Sequence, residues 1–489
     1  MYLNDKIIIA KNDEKELYIS PDMINRHGII TGATGTGKTV SVKVLAESFS
    51  KSGIPVFMAD IKGDLSGTCE VGINNENIEK RLNKLNISNF NFQKFPVRFW
   101  DIYGECGHFI KAKVNNIKPS LMSRVLELSE SQEGNLNIAF KVAEDENMPI
   151  IDFKDLKAIL KYISDYRNDY ISTYGNITPQ SIGAILRRLL EFENTGGDIF
   201  FGEPELDIKS LIKYDTNTGE GYINILNAKE LVKDYNLYST FMLWMLNELY
   251  DKLPEVGDLA KPKLVFFIDE AHMLFSEMTP SMLRSVTQIV KLIRSKGVGL
   301  YFISQSPSDI PEEILAQLGN RIQHNLHAYT QVEQKNVKAA ANSFRANPNL
   351  NIEKTIQELE IGEAVVSFIN EYGQPNIAER AYILPPQSKM GVADINIINE
   401  IINNSDMKNI YSEIVDEESA YEIIDKKIKE KDQQSRDEQI RIQQEKNSKT
   451  LKSSNKKTRS SKVVDRTINS AASTIGRKIG NQIFKGLFK

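Results

Sequence analysis

The chain reads Gly32-Ala33-Thr34-Gly35-Thr36-Gly37-Lys38-Thr39-Val40 directly after the apolar stretch HGII. Glycines at this spacing let a backbone curl until several N–H groups converge. A lysine, a hydroxyl and the positive end of a helix then follow. Such a set of donors suits an anion with many oxygens. Gly32 to Thr39 fits G-x-x-x-x-G-K-[ST], the phosphate-binding loop, in which Lys38 serves the β- and γ-phosphates and Thr39 ligates Mg²⁺. The loop calls for a partner, an apolar strand that ends in acids, and LVFFIDEAH supplies it. Asp269 is the expected second metal contact, through water, and Glu270 the group that polarises an attacking water. Gln305, at the end of VGLYFIS, is expected to sense the terminal phosphate. Each also has an ordinary reading, as a glycine-rich turn, a solvated acid pair or a polar turn residue. ATP and Mg²⁺ are the cofactors these residue types imply, with adenine assumed because no base-reading motif is visible.

These groups need elements to bring them together. KIIIA (6–10) and LYIS (17–20) flank a polar segment and read as a hairpin. HGIITG is a strand, and Val42, Leu45, Ala46 and Phe49 mark one face of a helix that ends near Gly53. IPVFMAD (54–60) follows, which makes a βαβ unit and argues for a parallel sheet covered by helices. LVFFID (264–269), VGLYFIS (298–304) and EAVVSFI (363–369) are further strands, with GYINILNA (221–228) and RIQHNL (321–326) weaker candidates. Leu283, Val286, Val290 and Ile293 mark the crossover helix before VGLYFIS.

More than 200 residues separate IPVFMAD from LVFFID, too many for one crossover. The expected division is an ATPase core of residues 1–75 and 201–392 and a mostly helical insertion over 76–200. FPVRFWDIYGECGHFIKAKV is read as the insertion's hairpin. A helical extension (393–445), a basic flexible linker (446–466) and an amphipathic helix (467–489) follow.

Composition sets the remaining bounds. A chain of 489 residues with 41% hydrophobic and 26% charged content is ordinary for a soluble globular protein. No apolar run reaches membrane-spanning length, the N-terminus lacks the pattern of a signal peptide, and a cytoplasmic protein is expected. Two cysteines, Cys69 and Cys106, exclude a disulfide framework, and the five histidines show no metal-ligand spacing. Residues 446–489 carry twelve lysines and arginines against one acid, a net +11, so residues 1–445 carry −15. A basic tail on an acidic body points to nucleic acid or a membrane surface. Ile468, Ala472, Ile475, Ile479, Ile483 and Leu487 form its apolar stripe, for docking on a protein partner or a membrane surface.

Together the motifs resemble the HerA/FtsK superfamily of P-loop ATPases, and within it the bacterial HerA-like family. The resemblance rests on NRHGIITGATGTGKTV, VFMADIKGDLSG, PVRFWDIYGECGH, KPKLVFFIDEAHMLF, IRSKGVG, QLGNRIQHNL and PPQSKMG, and extends from about residue 20 to 392. It implies a RecA-like α/β motor core that assembles as a homo-hexameric ring and translocates DNA. In such rings an arginine reaches the nucleotide held by the neighbouring subunit, and Arg321 and Arg294 match positions for that role. Only about 30 residues precede Gly32, too few for the N-terminal barrel of full HerA translocases, which puts coupling to a nuclease partner in doubt. His327 stands where an arginine is usual. Two other functions stay open: an ATP-driven assembly or scaffolding protein, and a protein- or peptide-pumping ATPase.

Overall fold

Val56–Asp60, Leu264–Ile268 and Val298–Ser304 are buried at every position. Such runs, rich in β-branched and aromatic residues, form strands covered on both faces. The computed structural model describes residues 1–453 except 195, 258, 277 and 412–416, with side chains to 446. Its strands are β1 (Tyr2–Leu3), β2 (Lys6–Lys11), β3 (Glu16–Ile19), β4 (Gly28–Thr31), β5 (Val56–Asp60), β6 (Val97–Asp101), β7 (His108–Phe109), β8 (Ile223–Asn227), β9 (Leu264–Ile268), β10 (Val298–Ser304), β11 (Asn320–Gln323), β12 (Glu363–Ser367) and β13 (Glu379–Ile383).

They form one sheet in the order β1-β2-β13-β12-β11-β4-β10-β9-β5-β8-β6-β7, with β3 paired to β2. From β11 to β7 every pairing is parallel. From β12 back to β1 every pairing is antiparallel. The expected α/β architecture with a parallel P-loop core is therefore present, and the hairpin at 6–20 forms its antiparallel flank.

The helix α1 (Lys38–Lys51) lies against one face and buries Val42, Leu45, Ala46 and Phe49. Phe49 packs on Phe267 and Tyr301, ring centroids 6.2 and 5.6 Å away, and so fixes α1 over β9 and β10. The helix Tyr235–Lys252, apolar nearly all round, is buried over most of its length. For that reason it lacks the amphipathic stripe by which the sequence would disclose it.

Residues 97–109 correct the expected hairpin. Val97–Asp101 is wholly buried and pairs in parallel with β8 at the sheet's far edge. The Asp101 carboxylate accepts the N–H groups of Tyr103 (2.8 Å) and Cys106 (2.9 Å), which turns the chain so that β7 re-enters parallel to β6. Residues 119–194 are mostly helical, in five helices from Pro119–Val125 to Pro179–Asn194.

Met1–Ile424 forms one unit, and the described residues from 425 onward belong to a second. The helix Ala420–Ser453 runs past 446, where a flexible linker is expected; no glycine or proline interrupts that stretch. The rest of the expected linker and the amphipathic helix at 467–489 lie outside the described residues. Among the described residues no helix is long and apolar enough to cross a membrane.

Candidate functional site

The strand order puts the carboxyl ends of β4, β10, β9 and β5 side by side. In an open parallel sheet this edge is where ligands bind. Residues 32–37 leave β4 there and enter α1. Gly32 (φ +153°), Gly35 (+81°) and Gly37 (+119°) take backbone conformations that other residues resist. At Gly32 space demands glycine too: a Cβ would lie 2.5 Å from His324 Cβ.

The loop is tied to its neighbours on three sides. Gly32 N–H donates to Gln305 O (3.2 Å), Ala33 N–H to Asn325 O (2.8 Å), and Gly362 N–H to Thr36 O (3.0 Å). Its Thr34, Gly35 and Gly37 N–H groups make no hydrogen bond within the described chain. The Lys38 ammonium turns back onto Gly32 O (2.5 Å) and Ala33 O (3.3 Å). Burial lowers its pKa, against the opposing pull of Glu270 and Asp269.

Asp269 and Glu270 follow β9. Burial and the neighbouring Glu270 charge push Asp269 up to about 7, despite its acceptance of the Glu270 N–H at 2.8 Å. Tyr238, from the buried helix, fixes this turn by donating to Asp269 O (2.7 Å). Glu270 itself is left-handed (φ +45°), a strained conformation for a residue with a side chain and one that clusters at working sites. Its Oε2 lies 3.3 Å from His272 Nδ1.

A cleft of about 400 Å³ gathers Thr34, Gly35, Gly37, Lys38, Thr39 and Val40 with Asp269 and Glu270. Its lining holds three lysines (Lys38, Lys43, Lys62) against four carboxylates (Asp60, Asp64, Asp269, Glu270). A polyphosphate added to that balance needs a divalent cation. Among the described residues no cluster of three or more His, Cys, Asp or Glu could hold a metal alone. The Thr39 hydroxyl and Asp269 carboxylate in one cleft are the partial set that Mg²⁺ completes with phosphate oxygens and water. The residues present thus fit both ATP and Mg²⁺.

Gln305 is at the loop but not in this cleft. Its carbonyl holds Gly32, while its side chain lines an adjoining recess with Ala33, Thr34, His272 and His327. Ser304 and Ser306, on either side, both donate to Asp309 Oδ2 (2.6 and 2.9 Å), so Asp309 fixes the turn that carries Gln305.

Arg321 and Arg294 are elsewhere. They line a second recess, of about 350 Å³, with Arg26, Lys291 and Arg345, at the amino ends of β4, β10 and β11. No carboxylate side chain is among its described lining residues. The length of β10, about 20 Å, separates this edge from the phosphate loop. Arg321 donates to Leu318 O (2.9 Å), Ser343 O (2.6 Å) and Leu315 O (3.1 Å), which binds it into the fold.

The sequence reading missed Tyr238, Asp309, His324, Lys43 and Lys62. Tyr238 and His324 act through hydrogen bonds between distant segments and leave no local pattern. Asp309 instead forms a capping box with Ser306, three residues before it, and that spacing is a local signal. Lys62 stands two residues beyond an apolar strand that ends beside the phosphate loop, and that position is a usable signal.

The sequence description of the helicase HerA-like C-terminal family matches residues 5–489. The DNA double-strand break repair helicase HerA of Sulfolobus acidocaldarius is 22% identical over 415 residues, covering 84% of this chain and 74% of that protein. That of Saccharolobus solfataricus is 23% identical over 364 residues, covering 73% and 64%. The DNA import protein CedB of S. acidocaldarius is 24% identical over 380 residues, covering 76% and 54%. The chain thus spans between about half and three quarters of these relatives' length. Among solved structures, the bacterial conjugative coupling protein TrwBdeltaN70 superposes with a TM-score of 0.52 at 13% identity, covering 79% of this chain and 91% of that one. VirB4 of Thermoanaerobacter pseudethanolicus gives 0.50 at 15%, covering 80% and 98%. At such identities the likeness is one of fold.

Proposed function

The chain belongs to the helicase HerA-like C-terminal family, and on that premise we propose that it is an ATP-hydrolysing motor that moves DNA as a ring of identical subunits, a hexamer by family resemblance. The observation that carries this reading is the separation of two half-sites. The phosphate loop and acid pair occupy one edge of the sheet, and a recess with both candidate arginines occupies the other. Within one chain the arginines are a strand's length from Glu270. A second copy, docked edge to edge, would complete the site.

In this reading the N–H groups of Thr34, Gly35 and Gly37 and the Lys38 ammonium, once released from Gly32 O, bind the phosphates. Thr39 and Asp269 hold Mg²⁺, which neutralises phosphate charge when bound. Glu270 orients a water and takes its proton. Gln305, joined to the loop through Gly32, relays loss of the terminal phosphate towards His327 and the outer surface. Arg294 and Arg321 are the candidates for the neighbour's nucleotide, and Arg321 also holds three carbonyls of its own subunit. DNA as substrate is supported by the DNA repair and DNA import roles of the relatives and by the basic segment 446–489.

The test is steady-state ATP hydrolysis with and without single- and double-stranded DNA, beside Glu270→Gln. DNA should stimulate turnover, and the variant should bind ATP yet turn over about 100-fold or more slowly. Hydrolysis indifferent to DNA at low salt would sink the motor. It would favour the scaffolding reading, for which the acidic body, residues 1–445, speaks.

A further inference from the structure

β5 pairs in parallel with β9 through Met58 and Phe267, and ends at Asp60, on the edge of the sheet where Asp269 follows β9. The turn that follows lines one cleft with Asp269 and Glu270 through Ile61, Lys62 and Asp64. Asp60 does not face the cleft as a free acid. Its Oδ1 accepts the Gly63 N–H (2.6 Å) and its Oδ2 those of Leu65 (3.2 Å) and Ser66 (3.1 Å). Ser66 Oγ closes the turn on Gly63 O (2.7 Å). Gly63 is left-handed (φ +84°), and a Cβ there would lie 2.4 Å from the Lys229 side chain. The turn is thus built, and what it presents to the cleft is Lys62.

Lys62 is exposed, lines the cleft, and makes no hydrogen bond or ion pair with any described residue. It is near enough to Lys38 and Asp269 for its charge to bear on both. A lysine held over an acid pair by three backbone hydrogen bonds, yet paired with neither acid, has the form of a group kept for a ligand's negative charge. Lys38 approaches the cleft from the α1 side and Lys62 from the β5 side.

We propose that Lys62 is a second phosphate-contacting cation of the cleft, acting from within the same subunit on the terminal phosphate of a bound nucleoside triphosphate. This rests on the nucleotide-binding reading of the cleft. One charge-assisted hydrogen bond to the terminal phosphate distinguishes tri- from diphosphate, by about 10–100-fold in affinity.

The experiment is calorimetric binding of ATPγS and of ADP, each with Mg²⁺, to the full chain and to Lys62→Ala, Lys62→Arg and Lys38→Ala. Thermal melting of each protein reads the fold. Lys62→Ala should lose about 10-fold or more in ATPγS affinity with ADP affinity within twofold of wild type. Lys62→Arg should recover most of that loss, and Lys38→Ala should weaken both ligands. Equal losses for both nucleotides in Lys62→Ala, no loss for either, or a fall in melting temperature that accounts for the loss would overturn the assignment and leave the cleft's nucleotide reading standing. Binding of neither ligand by the wild type would overturn both.

Discussion

The phosphate loop holds its shape because individual residues leave it no other. His324 bridges the Ser41 hydroxyl (2.8 Å) and Glu363 O (2.8 Å), so its ring cannot give way to a side chain on Gly32. Gly32→Ala should therefore destabilise the protein by about 1–3 kcal/mol and abolish nucleotide binding. Gly35→Ala, where a Cβ would meet nothing within 4 Å, should cost about 1 kcal/mol for its left-handed backbone alone. Melting temperatures of the two variants check this; equal losses would mean that conformation, and not contact, governs Gly32. Arg321 is likewise held by individual contacts. Removal of Arg321 leaves three carbonyls without their donor, so Arg321→Ala should lower the melting temperature as well as activity.

At the scale of elements, the parallel strands are joined beneath the site by a buried histidine. His27 Nδ1 accepts the Leu300 N–H (3.0 Å), so its Nε2 carries the proton and donates to Val290 O (2.9 Å). A second proton on Nδ1 would face that N–H. Burial, with Arg294 and Arg26 nearby, lowers the His27 pKa to about 4, and burial with Lys38 lowers that of His324 to about 4. Both bind a proton more readily in the unfolded chain, whose histidines titrate near 6.5. Their stabilising contribution is therefore full above pH 6.5 and is lost as pH falls towards 4, at about 3 kcal/mol each. Melting temperature should drop across that window, and the drop should flatten in a His27→Gln, His324→Gln double variant. A wild-type melting temperature constant from pH 7 to 4.5 would contradict this.

For the whole molecule, the question is what completes a site split between two sheet edges. If Arg294 serves a neighbouring copy, inactive Arg294→Ala mixed with inactive Lys38→Ala should recover part of the ATPase activity, since some junctions then pair an intact loop with an intact arginine. No recovery at any ratio would remove the shared site. Charge is also divided at this scale, with +11 in residues 446–489 and −15 before them. Deletion of 446–489 should leave DNA-independent hydrolysis within about twofold and weaken DNA binding, with a shallower salt dependence of what remains. Unchanged DNA affinity would place the contact in the acidic body.

The sequence by itself determined the phosphate loop, the acids at the end of β9 and the parallel core strands, because each is written in contiguous residues whose types have few other uses. Gly32 to Thr39 needs only its own backbone, and LVFFID announces a buried strand by composition. Tertiary structure alone decided where the pieces stand relative to one another. It carried residues 97–101 into the main sheet, because their partner in β8 is more than 100 residues away. It set Lys62 in one cleft with Glu270 by pairing β5 with β9, and sent Arg294 and Arg321 to the opposite edge. It also gave His324 and Tyr238 their supporting roles. Those depend on hydrogen bonds and strand neighbours fixed only when the chain closes, and local periodicity carries no record of them.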